Sequence, residues 1–200
     1  MSSDGAMRLD TVTDDRSALL LMDFQVGVGD QPWAQTAVAN ARLALTAARE
    51  RQMLVVYTKV AFAPDYLDVS PSSKAFWPYR QGDLLRPEAS RLVDEFEPAA
   101  GEPVVEKNRF SPFAGSRLGS ILRSQRVSKV VLAGVSTSGV VLAAFTMGEN
   151  LDLGMTLLSD ACADPDGDLH DSLAGRLFPR SAETVAAADW AAGTARVARP

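Results

Sequence analysis

The sequence contains very few of the residues from which many reactive centres and metal sites are built. Its 200 residues include one cysteine, Cys162, and one histidine, His170. A single cysteine excludes an intrachain disulfide and a cysteine-rich metal cluster. A single histidine excludes a zinc site with several histidine ligands. We therefore expect a functional site without a metal ion.

Long apolar runs and clusters of positive charge are also missing. No apolar run approaches the roughly 20 residues that a helix needs to span a bilayer. The N-terminal stretch M-S-S-D-G-A-M-R-L-D is polar and lacks the apolar segment of a signal peptide. The net charge is −5, and no Lys/Arg cluster offers a surface for nucleic acid or anionic lipid. We expect a cytoplasmic protein that binds neither nucleic acid nor membrane.

The remaining composition is that of an ordinary globular domain, with 46% apolar and 22% charged residues. Six apolar segments alternate with helical patterns, and we predict them as strands at 17–22, 53–60, 103–106, 127–133, 154–158 and 183–185. Their apolar runs are continuous, which is typical of strands buried on both faces of a parallel sheet. We predict an α/β layer fold with one domain over residues 1–200, and the sequence leaves open whether residues 1–16 form an ordered or a flexible arm.

Helices are predicted at 33–51, 88–96, 116–124, 138–150, 168–178 and 187–192. Residues 61–87 contain four prolines and five aromatic residues and are predicted to form a long ordered loop. Loops of this length in compact domains are often functional lids. The aromatic residues at 76–79 either cover a pocket or pack at a subunit interface, and the sequence leaves both interpretations open.

Polar residues follow three of the predicted strands. Asp23 follows the first strand, Lys107 the third, and the turn G-V-S-T-S-G-V-V at 134–141 the fourth. Ligands of open parallel sheets bind at the carboxyl ends of the strands. An acid, a base and a glycine-bearing turn at that edge form a candidate active site on physical grounds.

Four stretches of the sequence together resemble the isochorismatase-like hydrolases, also called cysteine hydrolases. They are A-L-L-L-M-D-F-Q at 18–25, V-V-E-K-N-R-F-S-P-F at 104–113, V-L-A-G-V-S-T-S-G-V at 131–140 and L-S-D-A-C-A-D at 158–164. The resemblance extends from about residue 18 to 192. It implies a Rossmann-like three-layer α/β/α fold with strand order 3-2-1-4-5-6. It also implies a small-molecule substrate, no cofactor, and a homodimer or homotetramer.

The usual members of that family are amidases with an aspartate, a lysine and a nucleophilic cysteine. The resemblance places Asp23 and Lys107 at the first two positions as catalytic residues, and Val140 at the third. Valine has no heteroatom and cannot form a covalent intermediate. The hydroxyl residues at 136–138 precede this position by two to four residues, and we do not expect them to replace the cysteine. Cys162 lies in a different segment and is expected to be an inert buried thiol.

Some members of the family lack the cysteine, namely the isochorismatases proper and the aminodeoxyisochorismate hydrolases. They cleave an enol ether without a covalent intermediate, with the aspartate as general acid. By resemblance, Asp23 is expected to act here as general acid or base, with Lys107 as its electrostatic partner. A proton donor near neutral pH needs a raised pKa; burial of Asp23 would raise it and Lys107 would lower it, and the sequence leaves the balance open. A non-hydrolytic tailoring enzyme of secondary metabolism and a ligand-binding pseudoenzyme stay open as alternatives.

The resemblance also suggests how a substrate is held. It implies a cis peptide bond between Val135 and Ser136, and an anion-binding pair formed by the backbone amides of Ser136 and Val140. We predict substrate contacts from four side chains, Gln25, Arg109, Phe113 and Trp77. Gln25 could instead be structural and Arg109 a solvated charge. The family members that bind a metal use histidines after the second strand, and this chain has none there.

Overall fold

The computed structural model describes residues 16–81 and 90–194, and within them six parallel strands form one sheet. The strands are β1 (Arg16–Met22), β2 (Leu54–Val60), β3 (Val104–Lys107), β4 (Val127–Val135), β5 (Gly154–Ala163) and β6 (Glu183–Val185). Their order in the sheet is β3-β2-β1-β4-β5-β6. Both the predicted fold class and the strand order are therefore confirmed.

Helices cover both faces of this sheet. They are α1 (Gln35–Glu50), α2 (Leu118–Ser124), α3 (Leu142–Asn150), α4 (Gly167–Ser172) and α5 (Ala187–Ala192). Leu19 and Leu21 of β1 pack with α1 and α5 on one face, whereas Leu20 and Met22 pack with α2 and α3 on the other. Successive side chains of a strand point to opposite faces, so a strand between two helical layers is apolar at every position. No helix in the described residues combines the length and apolar character needed to cross a membrane.

Strand β5 is longer than predicted, because it continues through Ser159 and Asp160 to Ala163. The prediction ended this strand at the two polar residues. Both find backbone partners at its edge: the Ser159 hydroxyl donates to the carbonyl of Val185, and the Asp160 carboxylate accepts from the amide of Ala187. Polar side chains that are satisfied in this way do not end a strand.

Two of the predicted helices also differ from the structure. The described part of 88–96 is not an α-helix, since Val93 donates to the carbonyl of Phe24 and Val26 donates to that of Arg91. These bonds hold the segment beside the residues that follow β1, and only a short 3-10 turn forms, at Asp94–Phe96. The helix predicted at 168–178 is divided into α4, a π-helical turn and a 3-10 turn. The first two residues of 88–96, and the predicted arm apart from Arg16, lie outside the described residues.

Gly134 of β4 lies opposite Met22 of β1 and gives a prediction about stability. A Cβ atom at this position would lie 2.7 Å from the Cβ and the carbonyl oxygen of Met22. We expect Gly134→Ala to lower the free energy of unfolding by about 1–3 kcal/mol, because backbone would have to move. Chemical denaturation measures the change.

Gly148 in α3 provides the matched control. A Cβ atom there would lie 2.6 Å from the sulfur of Met155, and an unbranched methionine side chain can move aside. Gly148→Ala is therefore expected to cost less than Gly134→Ala. Equal losses from the two variants would contradict the assignment of a backbone clash at Gly134.

Candidate active site

The carboxyl edge of the sheet brings Asp23 and Lys107 together across the end of β2. The ammonium nitrogen of Lys107 lies 2.6 Å from Oδ2 of Asp23. Thr58 of β2 lies between them in the sheet and donates its hydroxyl hydrogen to Oδ1 of Asp23 at 2.9 Å. Asp23 is 7% exposed and Lys107 is 4% exposed. The two residues predicted to be catalytic thus form one buried, hydrogen-bonded pair.

Burial controls the acidity of Asp23. Removal of the carboxyl group from water raises its pKa above the ordinary value, and the charge and hydrogen bond of Lys107 and the hydrogen bond of Thr58 only partly oppose this. A raised pKa increases the protonated fraction of the carboxyl group at a given pH. Of the opposing effects that the sequence left open, burial is therefore the larger.

The turn after β4 is held in place by the segment after β5. The Val135–Ser136 peptide bond is cis, as the resemblance implies. The amide of Ser138 donates to Oδ2 of Asp164 at 2.7 Å. The Thr137 hydroxyl lies 2.8 Å from Nδ1 of His170. These contacts fix the position of the backbone between Ser136 and Val140.

A cavity of about 390 Å³ opens beside these groups. Its charged lining residues are Asp23, Lys107 and Arg109. Most of the remaining wall is apolar, and its aromatic members are Trp33, Phe76, Tyr79 and Phe110. Ser136 and Val140 also line it. A mostly apolar pocket with a few converging polar groups is typical of a small-molecule site.

Two of the four predicted substrate contacts line this cavity. Arg109 is one of them. Gln25 is the other, but its side-chain amide is paired with the backbone of Val60, donating to the carbonyl at 3.1 Å and accepting from the amide at 2.6 Å. This pairing gives Gln25 a structural role at the wall.

Phe113 and Trp77 are placed elsewhere. Phe113 packs against the apolar core beneath α2 and α3. Trp77 lies beneath the guanidinium group of Arg80, whose carbon is 5.1 Å from the ring centroid. Neither residue is among those that line the cavity, so the structure does not place them where they were expected to contact substrate.

No cysteine is among the described residues that line the cavity. Val140 is 2% exposed and lies in the wall. The thiol of Cys162 lies in β5, 3.9 Å from the carbonyl oxygen of Leu132, and burial raises its pKa to about 12. Among the described residues no group of three or more His, Cys, Asp or Glu side chains is arranged to hold a metal ion.

Sequence reasoning missed several residues that shape the site. Thr58 is a hydroxyl residue within a mainly apolar strand, which is only a weak sign that it is a hydrogen-bond partner of Asp23. Asp164 belongs to the run D-P-D-G-D, which was interpreted as a turn before a helix; Asp166 does cap α4 by accepting from the amide of Leu169. Tyr79 is half-buried at the cavity, and burial, followed by the charge of Asp23, raises the pKa of its phenol.

Comparison with known proteins supports the same interpretation of the fold. An isochorismatase family protein from Burkholderia thailandensis is 23% identical, with a TM-score of 0.82 and coverage of 90% of this chain and 95% of that one. N-carbamoylsarcosine amidase from Thermoplasma acidophilum is 24% identical, with a TM-score of 0.71 and coverage of 86% and 96%. A hydrolase of the isochorismatase family from Chromobacterium violaceum is 27% identical, with a TM-score of 0.72 and coverage of 90% and 94%.

The matches below 25% identity show the shared fold alone. The family itself is shown by the family model of the isochorismatase domain, which matches residues 17–189. That range includes β1 to β6, Asp23, Lys107 and the turn after β4. The chain belongs to the isochorismatase family.

Proposed function

We propose that this protein hydrolyses an enol ether or a similar acid-labile bond in a small molecule, without a covalent intermediate. The observation that carries the proposal is the buried Asp23 carboxyl at a mostly apolar cavity, with a raised pKa and with valine at position 140. An amidase of the cysteine type needs a thiolate at that wall. An acid-catalysed reaction needs a carboxylic acid there, and Asp23 can supply it.

In this reaction the proton of the Asp23 carboxyl is transferred to the terminal vinyl carbon of the enol ether. The carbon that is bonded to the ether oxygen thereby becomes an oxocarbenium centre. Water adds to this carbon. The resulting hemiketal breaks its bond to the alkoxy group, which leaves as an alcohol while a carbonyl compound forms. The water that has added to the carbon gives up a proton to the Asp23 carboxylate and so restores the acid. Lys107, at 2.6 Å, stabilises the carboxylate that exists between these two proton transfers.

The Ser136 and Val140 amides are assigned to bind an oxygen of the substrate. Both residues line the cavity, and the contacts from Asp164 and His170 hold the turn between them. Because these donors belong to the backbone, replacement of the family cysteine by valine does not remove them.

A substrate screen in deuterated water tests the proposal. Wild-type protein is offered enol ethers, including isochorismate, and small amides in parallel. We expect turnover of enol ethers only, with one solvent deuterium on the carbon next to the new carbonyl group. Amide hydrolysis, or enol-ether cleavage without deuterium at that carbon, would contradict the proposed chemistry. Failure to turn over any enol ether would also count against it.

Thr58 gives a prediction about pH dependence. Its hydrogen bond favours the ionised carboxylate and so lowers the pKa of Asp23. Thr58→Val removes that bond and so raises the pKa of Asp23 further. A general acid acts in its protonated form, so activity should persist to higher pH in the variant.

The measurement is the pH profile of kcat/KM on an enol ether that the screen identifies. Thr156→Val in β5 is the control, since Thr156 bonds Glu183 far from the cavity, and its profile should match that of wild type. Movement of the alkaline limb to lower pH in Thr58→Val would be incompatible with Asp23 as the proton donor.

A further inference from the structure

Among the described residues that line the cavity, Arg109 is the one charged group that the proposed proton transfer does not use. Its guanidinium group donates to the carbonyl oxygens of Asn108 and Asp68 at 2.6 and 2.8 Å. Its carbon lies 5.4 Å from the ring centroid of Phe76. Two hydrogen bonds and one ring contact hold the guanidinium in a fixed orientation at the cavity.

The described neighbours of this guanidinium do not neutralise its charge. Both of its hydrogen-bond acceptors are uncharged carbonyls. The carboxylate of Asp68 instead accepts from the side chain of Asn108 and the amide of Ala63, at 2.6 and 3.1 Å. Within residues 16–81 and 90–194, no carboxylate forms an ion pair with Arg109. A guanidinium has five N–H donors, so several remain for a ligand.

The charges of the described lining residues therefore sum to an excess of positive charge. The ionised Asp23 and Lys107 cancel each other, which leaves Arg109 in excess. Protonation of Asp23, which the proposed mechanism requires, makes that excess larger. A positive cavity with apolar walls attracts anions more strongly than the same charges would in bulk water.

We propose that the cavity binds a small organic anion, whose carboxylate pairs with Arg109 and whose flat apolar body packs against Phe76 and Phe110. The rings of Phe76 and Phe110 are 4.6 Å apart, and Phe76 lies directly beside the guanidinium. Arg binds carboxylates through two parallel N–H bonds. The anion also favours the protonated form of Asp23, because two negative charges in one cavity repel. This inference deepens the proposed function and rests on it for the identity of the cavity as the substrate site.

Benzoate and benzamide are suitable probes, since they have nearly the same shape and differ in charge. Ligand-observed NMR measures the affinity of wild-type protein for each, up to the solubility limit. We expect benzoate to bind about tenfold more tightly or better, the effect of one charge-assisted pair. Arg109→Met should bring the two affinities within about threefold of each other, by weakening benzoate alone. Arg109→Gln is the second variant if the methionine protein does not fold.

Arg80→Met is the matched control. Arg80 also stacks on an aromatic ring, that of Trp77, but it is exposed and does not line the cavity. The benzoate preference should survive in this variant. Equal binding of both probes to wild type, or no binding of either, would overturn the inference. So would a preference that persists in Arg109→Met and Arg109→Gln.

The result of the binding test with benzoate and benzamide does not depend on whether the protein turns over a substrate. Retention of the Arg109-dependent benzoate preference, in a protein that cleaves no enol ether, would leave the anion site standing and remove the proposed hydrolysis. Cleavage of neutral enol ethers by a protein without that preference would do the reverse.

Discussion

Asp23→Asn is expected to lower kcat/KM on an enol ether by about 10²–10⁴-fold, the usual contribution of a general acid. Asparagine has nearly the same shape as aspartate and can still accept a hydrogen bond from Thr58 or Lys107. It has no carboxylic proton to transfer to carbon. The measurement is steady-state kinetics on the substrate identified by the screen.

Asp152→Asn is the matched control. Asp152 follows α3 and has φ of 56°, close to the 60° of Asp23, so the same substitution is made in the same left-handed backbone conformation. It is exposed and remote from the cavity, and its activity should equal that of wild type. Undiminished turnover in Asp23→Asn would refute the role of Asp23.

A loss of activity must also be separated from a loss of folding. Asp23→Asn leaves the Lys107 ammonium buried without its carboxylate, and breaking a buried pair in this way costs about 3–5 kcal/mol of stability. The double variant Asp23→Asn with Lys107→Met removes both charges and should recover much of that stability. We expect it to be folded and still inactive. Recovery of activity together with stability would show that Asp23 acts only on the fold.

Val140→Cys is expected to give the protein a thiol that alkylating agents modify rapidly. In wild type the only thiol, Cys162, is 4% exposed and its pKa is raised to about 12, so iodoacetamide should not modify it near neutral pH. A cysteine at position 140 would face the cavity that contains Lys107, and a nearby cation favours the reactive thiolate. Alkylation of the variant should be faster by about two orders of magnitude or more.

Mass spectrometry of the alkylated protein identifies the modified residue. The same substitution in a Cys162→Ala background should react at the same rate, which assigns the modification to position 140. Wild type that is alkylated as fast as Val140→Cys would contradict the burial of Cys162. A Val140→Cys protein as inert as wild type would show that position 140 does not face the cavity.

The location of the site could be predicted because strand ends are visible in the sequence. Continuous apolar runs end at Asp23 and Lys107, and parallel strands bring their carboxyl ends to one edge. The apolar pattern did not predict the strand order, which came from the resemblance instead. The role of Thr58 depended on register: Thr58 lies opposite Met22, the residue before Asp23, and Lys107 lies opposite Val60. No local pattern in the sequence gives that register.

The cavity wall formed by residues 76–79 shows the limit of prediction in a loop. Trp77 was expected to contact substrate, but its neighbours Phe76 and Tyr79 line the cavity instead. A helix or strand has a period that assigns alternate residues to alternate faces. A loop with turns such as Trp77–Gln81 has no such period, so composition predicts that aromatic residues pack there but not which of them face a ligand.

The buried position of Cys162 has a consequence for oxidation. Hydrogen peroxide inactivates enzymes whose nucleophile is an exposed thiolate, because it converts the sulfur to a sulfenic acid and then to higher oxides. None of the residues described as lining this cavity contains sulfur, and the Cys162 thiol is buried between β4 and β5. Catalysis at Asp23 would therefore need no reducing agent and should continue in peroxide, under conditions that silence the cysteine amidases of the same family.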